Sequence, residues 1–447
     1  MNIANRFEKL FKSVLPTPFT IAVLLTFFTF ILALFITEPI AEESHILQLL
    51  SFWEQGIWHS PLLVFALQMM LMLVLGHTLA LSKPISNLIS KGTKYCNNTA
   101  NAAAIITFFT LVVSFFNWGL GLIFGAIFAR KVGEHASTKG IRLNYPLIGA
   151  AGYSGLMVWH GGISGSAPIK IAEEGHFLAE KIGVISQAET VFSTMNISIS
   201  VVLLIVLPFL MYYLGKKNNG AILQLKAEEK NSAVEISGAE KLDHSRILAW
   251  LFGGVILFYA FYKAFILPDT ISLKVINPNY INLVLLGFAI VMHKSFFNFL
   301  KGVDSAISGA SGILIQFPLY FGIMGIMNHS GMVQIMSDFF VSISNETTFP
   351  IFTFISAGIV NVFVPSGGGQ WAVQGPIIVD AATQLGVNIP KSVMALAYGD
   401  QLTNMLQPFW ALPLLGITGL KAKEILPYTL ILLVAGAVIF ISGLLIF

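Results

Sequence analysis

The sequence predicts an all-α polytopic membrane protein made of two inverted-topology repeats, each with a re-entrant helical hairpin and a discontinuous transmembrane helix. Three observations predict it. The chain of 447 residues is 55% hydrophobic and only 11% charged, with a mean hydropathy of +0.79, whereas soluble domains carry roughly 25% charged residues. Continuous apolar runs of about 18 residues or more recur along it, the length and pattern of membrane-crossing helices rather than of barrel strands. Polar segments rich in Gly and Pro interrupt those runs at matched places in the two halves of the chain.

Taken in order, residues 1–15 set Ile3, Phe7, Leu10, Phe11 and Val14 at helical spacing with Arg6, Lys9 and Lys12 on other faces, an interfacial helix on the cytoplasmic leaflet. The run Phe19 to Ile36 is too long for a signal-peptide core and is expected to be a retained first span. Complete spans are expected near 17–37, 59–82, 145–170, 188–214, 246–266, 280–293, 303–329, 390–416 and 425–446. The 38–58 segment carries Glu38, Glu42, Glu43 and Glu54 without Lys or Arg and reads as an external connection. The stretches 100–129 and 349–378 are broken near their middles and read as re-entrant hairpins. Basic residues gather in 1–12, 83–94, 130–142 and 215–246, which puts the N-terminus in the cytoplasm and makes the two hairpins approach from opposite faces. The organisation is then a first inverted repeat over 1–214, a cytoplasmic linker plus connecting span over 215–279, and a second inverted repeat over 280–447.

Single residues echo the same repeat. Gln68 and Gln316 lie in the spans before the hairpins, and Asn117 and Asn361 in the hairpin breaks. Tyr153 and Tyr398 follow those asparagines by 36 and 37 residues, and Pro168 and Pro413 each follow their tyrosine by 15. An odd span at 246–266 between the copies would flip the second, the inverted-repeat design of secondary transporters.

Four segments concentrate the chemistry: Asn117 to Gly121, Trp159 to Pro168, Val364 to Gln370, and Gly399 to Asn404 with Gln407 to Pro413. Gly and Pro at this density stop a helix inside the membrane and free backbone N–H and C=O groups that lipid cannot partner. Half-helix N-termini suit a carboxylate, and unwound carbonyls suit Na⁺ or a protonated group. The candidate substrate-binding residues are Ser164, Gly165, Ser166, Ser366, Gly367, Gly368, Gly369, Gln370, Asn404, Trp118 and Trp159. The candidates for the coupling ion or proton are Asp400, Asn117, Gly119, Asn361 and His160, with Asn117 and Asn361 as candidate Na⁺ ligands. Taken singly, each glycine could equally serve close helix packing. Asp400 is the carboxylate expected well inside a span, as a proton carrier, a Na⁺ ligand or a hydrogen-bonded packing residue. The tryptophans could line an acyl tail or simply pack. No Lys or Arg is expected in the breaks, which disfavours a dicarboxylate.

Other classes are excluded or disfavoured. One cysteine, Cys96, rules out a disulfide framework, and a net charge of +3 implies no nucleic-acid partner. No His-Glu-x-x-His, Walker loop or Gly-x-Ser-x-Gly elbow occurs, so neither an enzyme nor an ATP-driven pump is expected.

The segments Val364-Pro365-Ser366-Gly367-Gly368-Gly369, Gln374-Gly375-Pro376 and Gln407 to Pro413 closely resemble those of bacterial short-chain fatty acid uptake transporters, the acetoacetate/butyrate permease type. Phe116-Asn117-Trp118-Gly119, Ser164-Gly165-Ser166, Gln316-Phe317-Pro318 and Lys391 to Ala395 share the likeness, which spans nearly the whole chain. The resemblance implies a bacterial cytoplasmic-membrane carrier for short fatty acids, related to ion transporters with scaffold and moving domains, some of them dimeric. With the breaks and Asp400 the expectation is uptake of a short-chain fatty acid anion coupled to H⁺ or Na⁺ without a cofactor, the alternatives being a dicarboxylate or other small organic-anion carrier, or a channel. The resemblance places the site at the hairpin tips and broken spans, here Asn117, Gly119, Ser164, Ser166, Asn361, Ser366, Gly367 and Asn404. Family members often carry glycine at the place of His160, histidine at that of Gln370 and glutamate at that of Asp400. The first two departures bear on the preferred chain length, and Asp for Glu keeps the acid.

Overall fold

A computed structural model describes residues 18–39, 44–217, 220–222, 238–268, 270–363, 366–407 and 410–447. The expected interfacial helix at 1–15, most of the linker, and Val364, Pro365, Pro408 and Phe409 lie outside the described residues. The helices are α1 (Pro18–Ile36), α2 (His45–Ile57), α3 (Ser60–Ala80), α4 (Lys83–Gly92), α5 (Thr99–Phe116), α6 (Trp118–Lys139), α7 (Tyr145–Tyr153) and α8 (Ser166–Ile171). After a connection over 172–193 that includes a four-residue helical turn at Ala179–Ile182 come α9 (Thr194–Lys217), α10 (Arg246–Phe265), α11 (Pro278–His293), α12 (Phe296–Ile307), α13 (Ser311–His329) and α14 (Met332–Ile343). The last are α15 (Phe349–Phe363), α16 (Gly367–Leu385), α17 (Ile389–Thr403), α18 (Leu412–Thr418) and α19 (Ala422–Ile446). Among the described residues six helices, counting α12 and α13 as one stretch, are long and apolar enough to cross a membrane. The chain is a multi-pass membrane protein.

Several elements differ from expectation. Residues 45–57, expected only as a connection between spans, form a helix. α2 is amphipathic, with Gln48, Glu54 and Gln55 among its apolar residues, so its mean hydropathy hides it. It lies against α13 so closely that a Cβ on Gly56 would stand 2.3 Å from the Phe321 carbonyl. α4 and α14, of 10 and 12 residues, are too short to cross a membrane. The expected single span at 303–329 is α12 and α13 joined by a 3₁₀ turn at Ser308–Ala310. The span expected from 188 begins at Thr194. The chain is also not purely helical: Arg142–Leu143 pairs antiparallel with Ala221–Ile222, tying the end of the first hairpin to the start of the linker.

The same local devices recur in the same order in both halves. At the first break Asn117 is extended and its Oδ1 accepts from Leu120 N at 2.8 Å. At the second Ser366 is extended and its Oγ accepts from Gly369 N at 3.3 Å. Such caps satisfy one of the donors that a helix start leaves open. α6 and α16 then end on Gly140 and Gly386, both left-handed (φ 64° and 68°), where glycine carries no Cβ penalty. Asn144 and Asn388 cap the next helices, each followed two residues later by Pro146 or Pro390 in the first turn. α7 and α17 both run into 3₁₀ turns, Ser154–Met157 and Asn404–Leu406, before the chain unwinds.

Glycine contacts join the hairpins to these broken helices. A Cβ on Gly125 of α6 would stand 2.1 Å from the Gly152 carbonyl of α7, and one on Gly399 of α17 would stand 2.1 Å from the Phe354 carbonyl of α15. Backbone against backbone leaves no room for even one methyl. Gly399→Leu is therefore expected to lower the stability of the detergent-purified protein by about 3 kcal/mol, as overpacking does. Gly254→Leu on α10, where a Cβ meets open space, should leave the melting midpoint unchanged. A thermal melt of both variants checks this.

Candidate functional site

The break between α7 and α8 is held open by side chains. Gln401 Oε1 of α17 accepts from both His160 N (2.9 Å) and Gly161 N (3.0 Å). Asn196 Nδ2 of α9 donates to the Gly161 carbonyl (2.8 Å), and Gln187 Nε2 donates to the Ile163 carbonyl (2.7 Å). Ile163 N donates to the Phe115 carbonyl (2.8 Å), and Trp118 N donates to Ser164 Oγ (3.0 Å). Much of the backbone freed by unwinding is thus partnered by the protein itself, in a place where lipid offers nothing. Gln401, Asn196 and Gln187 carry this role and escaped the sequence reading. Gln401 adjoins Asp400, but nothing in the sequence shows that Asn196 and Gln187 face a break.

The two tyrosines at matched repeat positions each reach the other half. Tyr153 Oη donates to the Asn404 and Gln407 carbonyls (3.0 and 3.2 Å). Tyr398 Oη donates to Asn196 Oδ1 (2.9 Å), the residue that holds Gly161. Asn361 Nδ2 at the end of α15 donates to the Asp400 carbonyl (2.7 Å), Thr403 Oγ1 (2.9 Å) and Asn404 Oδ1 (3.1 Å), and Gln407 Nε2 donates back to the Asn361 carbonyl.

At the centre His160 Nε2 lies 3.4 Å from Asp400 Oδ2, with both side chains buried. The second hairpin tip closes directly over them: a Cβ on Gly367 would stand 2.3 Å from His160 Cε1 and 2.7 Å from Asp400 Oδ2. Gly368 presses on Phe317 and Phe65, and Gly369 on the Tyr320 ring. Beside the pair, Trp118, Trp159 and Trp410 pack edge to face at centroid distances of 5.0 to 5.5 Å, and Trp159 lies 4.5 Å from the His160 ring. Asp400 Oδ1, both His160 ring nitrogens, Asn404 Nδ2, Asn361 Oδ1 and the Trp118 and Trp159 indole nitrogens are buried without a hydrogen-bond partner among the described residues.

The structure therefore gathers His160, Asp400, Gly367, Trp159, Trp118 and Ser164, with Asn361 and Asn404 alongside. Gly165 closes the turn against the His160 carbonyl, and Ser166 starts α8. Gln370 braces its hairpin through Nε2, which donates to the Ala357 carbonyl and Gln374 Oε1 (2.8 Å each), while its Oε1 is buried without a hydrogen-bond partner among the described residues. Asn117 and Gly119 face α3: a Cβ on Gly76 would meet Asn117 Oδ1 at 2.3 Å, and one on Gly119 would meet Leu73 Cα at 3.1 Å. Among the described residues no group of three His, Cys, Asp or Glu side chains forms a metal cluster.

The break segments themselves contain no Lys or Arg. A lysine does stand next to a break: Lys170 of α8 is 2% exposed, its Nζ 2.5 Å from Glu173 Oε2 and 5.3 Å from the Phe65 ring centroid. Glu173 Oε1 in turn accepts from Gln68 Nε2 (2.5 Å) and Asn279 Nδ2 (3.1 Å). The Lys170 and Glu173 spacing in an otherwise apolar stretch was the available signal. Removing the acceptor at the first break exposes how much it matters. Gln401→Leu leaves two buried N–H groups unpaired at about 1–3 kcal/mol each, so a clearly lowered melting midpoint is expected, and an unchanged one would mean these bonds are not made.

Comparison with known proteins agrees with this architecture. The family model described as short chain fatty acid transporter matches residues 1–447. A protein of Escherichia coli (strain K12), provisionally named short-chain fatty acid transporter, is 36% identical over 440 residues, covering 97% of this chain and 96% of its own. One of Haemophilus influenzae with the same provisional name is 37% identical over 455 residues, covering 98% of each. In fold the chain is similar to the Alcanivorax borkumensis YdaH transporter (TM-score 0.58, 14% identity, 96% and 98% of the two chains). It is likewise similar to Neisseria gonorrhoeae MtrF, described among antimetabolite efflux pumps (TM-score 0.61, 15% identity, 98% and 97%). With its match running from the first residue to the last, the chain belongs to the short chain fatty acid transporter family and is a transporter rather than an enzyme.

Proposed function

We propose that the chain is a secondary active transporter that takes up short-chain fatty acid anions of the butyrate and acetoacetate type, coupled to H⁺ or Na⁺, across the bacterial cytoplasmic membrane. The observation that carries this reading is the convergence of the helix breaks of both halves on one buried polar cluster. His160 comes from the first broken helix, Gly367 from the second hairpin tip, Asp400 from the second broken helix and Trp118 from the first hairpin. The carboxylate would lie on the first turn of α16 at Ser366 to Gly369, where helix geometry leaves N–H donors open. Its short tail would lie toward Trp118 and Trp159. The coupling ion would sit near Asp400, where Asn361 and Asn404 lie alongside, whereas Asn117 caps α6 against α3. Lys170, the lysine beside the first broken helix, is paired with Glu173 and leaves no free positive charge for a second carboxylate, which favours a monocarboxylate.

In this reading 1–214 and 280–447 are inverted copies, the two hairpins are re-entrant from opposite sides, and the N-terminus is cytoplasmic. The recurring caps, left-handed glycines and cross-reaching tyrosines support the repeat. Such pairs of broken helices are the arrangement of alternating-access carriers.

Purified protein in liposomes is expected to exchange labelled butyrate or acetoacetate for the unlabelled acid with saturation, and succinate should not compete. Diffusive, non-saturable passage would indicate a channel instead. Ser366→Ala removes the cap on the second hairpin tip, worth about 1 kcal/mol, and should reduce uptake roughly fivefold. Topology is checked separately with single cysteines in a Cys96→Ser background. Residues 97 and 138, flanking the first hairpin, should react with impermeant maleimide from the cytoplasm, and 346 and 383, flanking the second, from outside. Reaction of all four from one side would remove the inverted repeat.

A further inference from the structure

Each half of the chain contributes one titratable side chain to the point where the breaks meet, and nothing else on the described residues neutralises either. His160 and Asp400 are 4% and 1% exposed, and they touch at 3.4 Å. Asp400 Oδ1 and both His160 ring nitrogens have no hydrogen-bond partner among the described residues, so the Nε2 to Oδ2 approach is a close contact open to a proton and not a made hydrogen bond. The elements packed against them hold few other ionisable groups, and these are committed. α15 has no charged residue at all. On α16 the one charged side chain, Asp380, lies far along the helix against Lys181 (3.6 Å). On α8, Lys170 is bound to Glu173. Tyr153 and Tyr398 donate their hydroxyls to Asn404, Gln407 and Asn196. On α17, Lys391 sits in the first turn, three turns from Asp400, and on α19, Lys423 and Glu424 are exposed at the helix start while Tyr428 accepts from Asn144.

Charge counting then narrows the coupling ion. With one proton between them His160 and Asp400 sum to zero, whichever residue holds it. A second proton makes the pair +1. Gly367 touches both side chains and is also the first residue of the turn proposed to take the substrate carboxylate, so the substrate's −1 falls beside this +1. Net charge inside a bilayer is strongly disfavoured, which leaves two neutral states: the pair with one proton and no substrate, and the pair with two protons and one anion. Sodium is a poorer fit for the second positive charge. The Asp400 carbonyl, Thr403 Oγ1 and Asn404 Oδ1 already accept from the Asn361 amide, and the partner offered to Asp400 is an imidazole nitrogen, which takes a proton.

We infer that His160 and Asp400 form a proton-sharing pair that binds the coupling proton together with the substrate carboxylate, making transport an electroneutral symport of one proton with one anion. This rests on the transport reading above and decides its coupling ion. Proton and anion binding are reciprocal, since each lowers the free energy of the other by the same amount.

The test uses the full chain in sodium-free liposomes, with protein-free liposomes subtracted to remove passive entry of the neutral acid. Between about pH 6 and pH 8, where the free acid is ionised, the KM for butyrate counterflow should fall about tenfold for each unit drop in pH. Added Na⁺ and an imposed K⁺ diffusion potential should change neither KM nor steady-state accumulation. Asp400→Asn and His160→Gln should each flatten the pH slope of whatever counterflow remains, and Asp400→Glu should keep it. A wild-type KM independent of pH, a requirement for Na⁺, or accumulation that follows the membrane potential would overturn the proton pair. So would wild-type pH slopes in both neutral variants. If either variant fails to fold, the wild-type sodium and potential measurements still decide. Absence of counterflow at every pH and chain length would instead sink the transport reading, and the pair with it.

Discussion

Backbone that leaves a helix inside a bilayer must find partners, because hydrocarbon supplies none. The rest of this structure follows from how that requirement is met. At the break between α7 and α8 the freed groups are taken up by Gln401, Asn196, Gln187 and Ser164. At the second, Asn361, Gln407 and Tyr153 do the same for Asp400, Asn404 and their neighbours. Several of these partners come from the other half of the chain, so neither break is stable alone. Each half of the chain is completed by the other, and the place where they complete each other is the place where buried polar atoms are left over.

Small residues set the geometry. Gly125 against Gly152 and Gly399 against Phe354 bring each hairpin into backbone contact with its broken helix. The Gly367 to Gly369 run lets the second tip reach His160 and Asp400 on one side and the aromatic rings of α3 and α13 on the other. Packing and binding are therefore not rival explanations for these glycines. Close packing is what carries the polar tips to a common point, and the tips then present their open N–H groups there.

The long apolar spans, the interruptions between α5 and α6 and between α15 and α16, and both broken helices were legible in the sequence because hydropathy and Gly/Pro punctuation report them directly. α2, α4 and α14 were not, because they are only 10 to 13 residues long and α2 and α4 mix polar with apolar residues. The residues of the breaks were legible as types, and His160, Asp400 and Gly367 do come together. That His160 and Asp400 touch could not be read, since 240 residues separate them in the chain and only the fold brings the two broken helices side by side. Lys170 was passed over because it lies just beyond the Gly-rich stretch, and its neutralising partner Glu173 and the contacts to Gln68 and Asn279 are long-range facts. Gln370 and Asn117 show the converse: both sit in the right segments, yet the first braces its own hairpin and the second caps α6 against α3.

The central claim is that the leftover polar groups at the meeting of the breaks bind a carboxylate. Calorimetric titration of the purified protein with butyrate and with its neutral isostere butyramide measures this directly. Saturable binding of butyrate with none of butyramide is the result expected. Equal binding of the two, or binding of neither, would contradict it.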